Sequence, residues 1–257
     1  MGKFLWYPIG LTVISALATP LASAQQPVTS SPWSVGLGVV GSPSPYVGVD
    51  TQTTAFPLIS YEGERFYWRG PMVGYRVLQE RGYQFSVYAA VAPEKYDADE
   101  SDNVAMRRLQ DRDFSALAGV SMRFELAAGQ LNARLGTDIS GKHHGQRAEV
   151  NYEYPWQLLE RQLVLTPSIG VAWQSDDFNQ YYYGISGAES VRSGLPAYQV
   201  DSSTQYFVGA SLMWRINAHW QTYLSGRWTK LDDTVSDSPM VEDSSELTSV
   251  LGISYHF

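Results

Sequence analysis

Cysteine is absent from the 257 residues. Its absence excludes disulfides, thiolate nucleophiles, Cys-ligated zinc and the lipid-modified cysteine of a lipoprotein. Long apolar runs are missing too. Past the first two dozen residues no segment reaches about 18 consecutive apolar positions, so no helix is expected to cross a membrane. Charge is sparse at 17% of residues, against about 25% in an ordinary soluble domain. It is also lopsided, with 18 Lys and Arg against 26 Asp and Glu for a net charge of −8, which argues against nucleic acid as a partner. Helical periodicity is lacking, since nowhere do three turns of period 3.6 appear.

What the chain does have is alternation. Its last twelve residues read E-L-T-S-V-L-G-I-S-Y-H-F. Leu247, Leu251, Ile253, Tyr255 and Phe257 share one face, and Thr248, Gly252, Ser254 and His256 the other. Period-two patterning marks a strand with one apolar and one polar face. A final strand ending in Phe resembles the address read by the barrel assembly machinery of Gram-negative outer membranes. The opposite end reads as an export signal: Lys3, an apolar stretch from Phe4 to Leu21, then the small residues Ala22-Ser23-Ala24. Residues 1–24 are therefore expected to be a cleaved signal peptide, 25–32 a short periplasmic tail, and 33–257 an outer-membrane barrel. Removing 24 of 257 residues leaves 233, enough for one domain, and no linker suggests a second.

The same alternation recurs. Strands are expected near 33–40, 54–61, 64–69, 72–79, 82–93, 114–125, 130–139, 147–156, 162–174, 205–215, 219–230 and 246–257. The expected fold is all-β, a transmembrane antiparallel up-and-down β-barrel of about twelve strands. Ten is the alternative, if 64–79 is one strand kinked at Gly70-Pro71, because closure of a single-chain bacterial barrel requires an even count. Proline cannot donate to a ladder, so Pro57, Pro71 and Pro167 mark bulges or irregular pairing. A β-sandwich would also alternate, but here charge keeps almost entirely to one face. The tryptophans Trp33, Trp68, Trp156, Trp173, Trp214, Trp220 and Trp228 lie near strand ends, as the aromatic girdles of a membrane barrel require. From residue 82 onward the connections alternate. Short turns lie at 127–129, 158–161 and 216–218, and long loops at 95–110, 176–203 and 232–245, with one short outward link from Gly141 to Gly145. Short turns face the periplasm and long loops face outward.

Chemistry-bearing clusters are few. His143-His144 form a pair of imidazoles without a nearby carboxylate or cysteine set to complete a metal site. Five carboxylates crowd 94–104, but no EF-hand spacing with its central glycine is present, so a solvated acidic loop is the expectation. No Ser–His spacing singles out a catalytic pair, and the chain is expected not to be an enzyme and to carry no cofactor. The run Arg107, Arg108, Asp111 and Arg112 can form an ion-pair network at the barrel mouth. Tyr181, Tyr182 and Tyr183 are costly to expose and are expected to fold back into that mouth, with Glu189 and Arg192 available to pair. Asp237 heads a further loop segment, D-S-P-M-V. Arg123, Glu125, Arg134, Asp138, Arg147, Glu149 and Glu153 are expected to face the lumen, where opposite charges can plug a small barrel as readily as line a pore.

Four stretches carry a resemblance: Pro57 to Arg69 (P-L-I-S-Y-E-G-E-R-F-Y-W-R), Arg107 to Arg112, Tyr181 to Gly194 (Y-Y-Y-G-I-S-G-A-E-S-V-R-S-G) and Asp237 to Val241. On these the chain resembles the MipA/OmpV family of outer-membrane proteins over nearly its whole length after the export signal. The resemblance implies a barrel in the outer membrane, in contact with its lipid and lipopolysaccharide. It also implies a non-enzymatic scaffold joining a lytic transglycosylase to a penicillin-binding protein in peptidoglycan synthesis. A small-solute channel, or a surface adhesin or antigen using the long loops, is the alternative. The resemblance brings no catalytic residues with it.

Overall fold

The computed structural model describes residues 31–257. The expected signal peptide and residues 25–30 of the expected tail lie outside the described residues. The strands are β1 (Trp33–Ser42), β2 (Gln52–Glu62), β3 (Phe66–Arg69), β4 (Met72–Glu80), β5 (Tyr83–Ala92), β6 (Ser115–Glu125), β7 (Gln130–Asp138), β8 (Gln146–Glu153), β9 (Trp156–Leu158), β10 (Leu163–Gln174), β11 (Ser203–Arg215), β12 (Trp220–Lys230) and β13 (Ser245–His256). Each pairs antiparallel with its neighbours, and β13 returns to β1 with Leu37 opposite Ile253, so the sheet closes. β8 and β9 both pair with β10. They are one strand interrupted at Tyr154-Pro155, where Tyr154 N–H bonds to the Pro167 carbonyl. Thirteen segments thus make a barrel of twelve strands, and 64–79 folds as two strands rather than as one kinked strand.

Alternation dictates which side chains meet lipid. The large apolar residues on the outward positions are exposed, among them Leu37, Leu135, Ile169, Tyr206, Leu224 and Leu251. A hydrocarbon solvent makes that exposure favourable, whereas water would not. The inward positions carry Arg69, Arg76, Asn132, Glu149, Asn151, Glu153, Gln205 and Arg227, all buried. Trp33, Trp156, Trp173, Trp214, Trp220 and Trp228 lie exposed on the outer face near strand ends. Trp68 is partly covered and donates its indole N–H to the Gly70 carbonyl.

Apart from the Gly70-Pro71 turn and the β7–β8 link at 139–145, the short connections gather at one end, which is the periplasmic end of a barrel built this way. Gly82, at φ +91°, makes the β4–β5 turn, a backbone region glycine enters without steric cost. The other end holds a packed cap. Its loops contain α1 (Asp176–Tyr183), α2 (Gly187–Ser193) and α3 (Asp233–Ser236). These helices are too short to leave a three-turn period. Their starts are nevertheless marked: Ser175 caps α1, accepting from the Phe178 N–H, and Ser186 with Glu189 forms a capping box on α2.

Candidate functional site

Among the described residues the largest buried apolar cluster lies in the cap rather than in the barrel. Tyr46, Tyr96, Met106, Phe178, Tyr182, Tyr183, Ile185, Val235 and Met240 pack together, drawn from the three long loops and from the β1–β2 connection at 43–51. Burying a large apolar side chain contributes about 1.5–3 kcal/mol relative to exposure, so a core of this size holds the loops as one body. Val47 N–H bonds to the Met240 carbonyl, and Val49 pairs with Ser101. The aromatic run goes where the sequence placed it. Tyr182 and Tyr183 are buried, and Tyr181 packs edge-on against Tyr182. Tyr182 donates to the Asp113 carbonyl at 3.2 Å. Tyr181 Oη accepts the Asp113 N–H at 3.0 Å. Burial pushes the phenols of Tyr46, Tyr182 and Tyr183 well up, and that of Tyr96 up to about 12. They stay neutral at any physiological pH, and Tyr46 donates to the Tyr182 carbonyl and Tyr96 to the Met106 carbonyl.

Arg112 is the polar centre of the cap. It is buried and donates to the Gln110 carbonyl (2.9 Å), the Gly184 carbonyl (3.2 Å) and Glu189 Oε1 (2.7 Å). Burial alone would raise the Glu189 carboxyl. The Ser186 N–H and hydroxyl together with the Arg112 guanidinium outweigh it and hold the group down at about 2. The expected pairing of Glu189 with Arg192 is replaced. Arg192 reaches the Arg108 carbonyl instead, because the capping box points Glu189 back along α2 toward Arg112. Asp111 accepts the Ala98 N–H at 2.9 Å, and Arg107 donates to the Ser101 carbonyl at 2.6 Å. Asp237 stays exposed outside this cluster. Its neighbours enter it: Ser238 donates to the Tyr183 carbonyl at 2.6 Å, and Met240 is fully buried.

Below the cap, charge braces the lumen. Arg227 on β12 reaches Glu149 on β8 at 3.2 Å, across strands that are not neighbours. Arg147 on β8 reaches Glu94, beyond β5, at 2.5 Å. Nearer the periplasmic end Glu62 binds both Arg69 and Arg76, and Glu153 accepts from Gln130 and Asn151. The inward charges were legible from alternation. Their partners were not, since strand register and barrel closure decide which side chains meet. Of the acidic loop, Glu94 pairs with Arg147, and Asp97 and Glu100 approach Lys95. That loop is thus partly built into the mouth rather than fully solvated. His143 is buried against Phe178 and Tyr182, and no cluster of metal-ligating side chains occurs among the described residues.

Residues 35–257 match the family described as MltA-interacting protein MipA. The chain is 33% identical over 249 residues to the MltA-interacting protein of Escherichia coli (strain K12), covering 97% of this chain and 98% of that protein. It is 25% identical over 227 residues to the outer membrane protein OmpV of Vibrio cholerae, covering 88% of this chain and 86% of that one. Among solved structures, an outer membrane channel from Pseudomonas putida F1 aligns over 93% of this chain and 100% of that chain, at 12% identity and a TM-score of 0.40.

Proposed function

Because the chain belongs to the MltA-interacting protein MipA family and is an outer-membrane β-barrel, we propose that it works as a non-enzymatic scaffold in peptidoglycan synthesis. In this reading it holds a lytic transglycosylase at the inner face of the outer membrane and brings it to a penicillin-binding protein. The observation that carries the reading is the packing of the mouth. A hydrophobic cap of loops, above ion pairs that cross the lumen, makes a stiff body. The named relative supplies the class of partner.

The docking face is the periplasmic rim. Aromatics gather there: Trp33 lies 4.9 Å from Tyr61 and 6.3 Å from Trp68, and Tyr255 lies 5.3 Å from Trp220 and 5.2 Å from Phe257. Ser31 N–H bonds to the Phe257 carbonyl, joining the two ends of the barrel chain at this rim. A standard interface buries about 800 Å² on each partner. Tight turns alone offer little of that, so the tail at 25–32 is expected to add contact. The test is retention of a periplasmic lytic transglycosylase on immobilised refolded barrel, with an unrelated barrel as control. Saturable retention that falls when residues 25–32 are removed supports the scaffold. Retention no better than the control at micromolar concentration sinks it and moves attention to the outer loops.

A further inference from the structure

The barrel wall is incomplete on one side. β3 has only four residues, about 13 Å of extended chain, whereas crossing the bilayer takes about 9–11 residues. The strands on either side of the β3–β4 hairpin, β2 and β5, have 11 and 10. The β3–β4 hairpin turns back at Gly70-Pro71, where Gly70 N–H bonds to the Ile59 carbonyl and the Pro71 carbonyl accepts from Val91. Above that point β2 pairs only with β1, so residues 52–58 show an open edge toward β5. The Glu62 N–H bonds to Pro32 on the β1 side and the Ile59 carbonyl faces β3. Strand alternation therefore turns the nitrogen of Pro57 toward the gap. A residue that cannot donate sits where no ladder partner exists. The opening is bounded on its outer side. Gln52 donates to Glu100, Asp102 N–H bonds to the Gly48 carbonyl at 2.7 Å, and Val49 pairs with Ser101. The wall thus has a window whose sill is Gly70-Pro71.

A bare sheet edge is not tolerated in hydrocarbon unless it lines a cavity or is covered. Here it lines a cavity. A space of about 110 Å³ lies between the β1–β2 edge, touched by Val40, Gln52 and Thr54, and the far side of the gap at Pro93 and Glu94. One part of its lining is apolar, with Val40, Pro43, Pro45 and Tyr46. Another is polar, with Arg147, Gln174, Gln205, Thr229 and Glu246. Acids exceed bases around it: Glu94, Asp97, Glu100 and Glu246 against Lys95 and Arg147. Arg147 is committed to Glu94, and Lys95 to Asp97 and Glu100, and the Glu246 carboxyl has no ion pair of its own among those of the described residues.

We propose that this window admits, from the surrounding leaflet, a single-chain amphiphile with a cationic amine head, which the cavity binds at Glu246 while the alkyl chain remains in the opening and the lipid. A cavity of about 150 Å³ holds a benzene ring, so the space fits a small ammonium head and not a whole lipid. An anionic head meets the excess carboxylates and is refused. The inference is independent of the scaffold reading.

The native chain has no cysteine, so a single introduced thiol reports cleanly. Ala55→Cys, labelled with a bimane fluorophore, sits on the outer face of β2 beside the window. Ile169→Cys on β10 serves as the lipid-facing control. In phosphatidylcholine nanodiscs, nitroxide-labelled dodecylamine should quench position 55 saturably and beyond position 169. Glu246→Gln should raise the half-saturating concentration at least tenfold, and Thr54→Trp, which fills the opening from a different side, should abolish the excess. Equally labelled dodecyl sulfate should show no excess, and phosphatidylethanolamine should not compete. Equal quenching at both positions, equal excess for amine and sulfate, displacement by phosphatidylethanolamine, or excess unchanged in both variants would each overturn the proposal.

Discussion

His143 holds one tautomer. The Gly145 N–H donates to its Nδ1 at 2.9 Å, so the ring proton lies on Nε2, 3.0 Å from the Ser115 hydroxyl. Burial holds its pKa below the usual histidine value of 6.5, against the opposing fields of Asp138 and Glu94. A folded pKa below the unfolded one means the unfolded chain takes the proton first. The cap is therefore expected to lose stability as pH falls through about 6.5. Limited proteolysis of the 175–202 loop at pH 7.5 and pH 5.5 checks this: cleavage should quicken at the lower pH. His143→Gln, which can still donate and accept but does not titrate, should flatten the dependence. Glu189 acts further down the scale. Its carboxyl is held at about 2, so the stability it contributes is complete above its unfolded value of 4.5 and is lost between there and about 2. Arg112→Ala leaves that buried carboxylate without its guanidinium. Breaking such a pair costs about 3–5 kcal/mol, and the Ser186 bonds that remain put the expected loss at the lower end. Hydrogen exchange of α2 amides reads it directly. Unchanged protection would show that the apolar packing alone holds the helix.

The seam between β13 and β1 is the element that closes the barrel, and its last residue is exposed. Phe257 packs edge-on to Tyr255, and its carbonyl accepts the Ser31 N–H at 2.8 Å. Neither contact is large enough to hold the sheet, where the β1–β13 ladder runs from Ser34–His256 to Gly41–Ser249. Phe257→Ala is therefore expected to leave refolding in detergent and urea resistance within about 0.5 kcal/mol of wild type, while cutting several-fold the amount assembled in the outer membrane of cells. Equal losses in both assays would make the residue structural and not an assembly signal. The strands themselves were legible because lipid enforces period two at every outward position, and all twelve positions hold. Pro155 and Pro167 show the limit. The sequence marks Pro167 as irregular, but that Tyr154-Pro155 opposite it interrupts β8 without ending it follows only from the pairing of β9 with β10. The cap was half legible. Three tyrosines in a row signal burial. Their partners lie far along the chain, as with Arg112 and Glu189, and nothing local encodes such pairs. The S-G-A-E of α2 was a readable capping box. The short β3 was readable as well, between an aromatic run and Gly70-Pro71, but its consequence for the wall appears only once the lengths of β2 and β5 are set beside it.

Two layers close the molecule, and they are mechanically distinct. The cap is apolar and made of loops, so it depends on burial. The brace is ionic and made of wall residues, so it depends on charge pairing inside a water-poor lumen. Removing one leaves the other in the path. Intact barrel in a planar bilayer is therefore expected to show no resolved conductance steps. Replacing residues 177–200 by a short Gly-Ser link removes Phe178, Tyr182, Tyr183 and Ile185 from the apolar cluster but keeps Arg227 against Glu149. That variant should conduct rarely and in small steps. The pair Arg227→Ser and Glu149→Ser alone should stay silent under the cap. Combined, the changes should give frequent and larger steps, beyond the sum of the two. Steps of ordinary size from the intact protein would show that water already has a continuous path past Arg147 and Arg227. The barrel would then be a channel, and the stiffness argued for a scaffold would lose its basis.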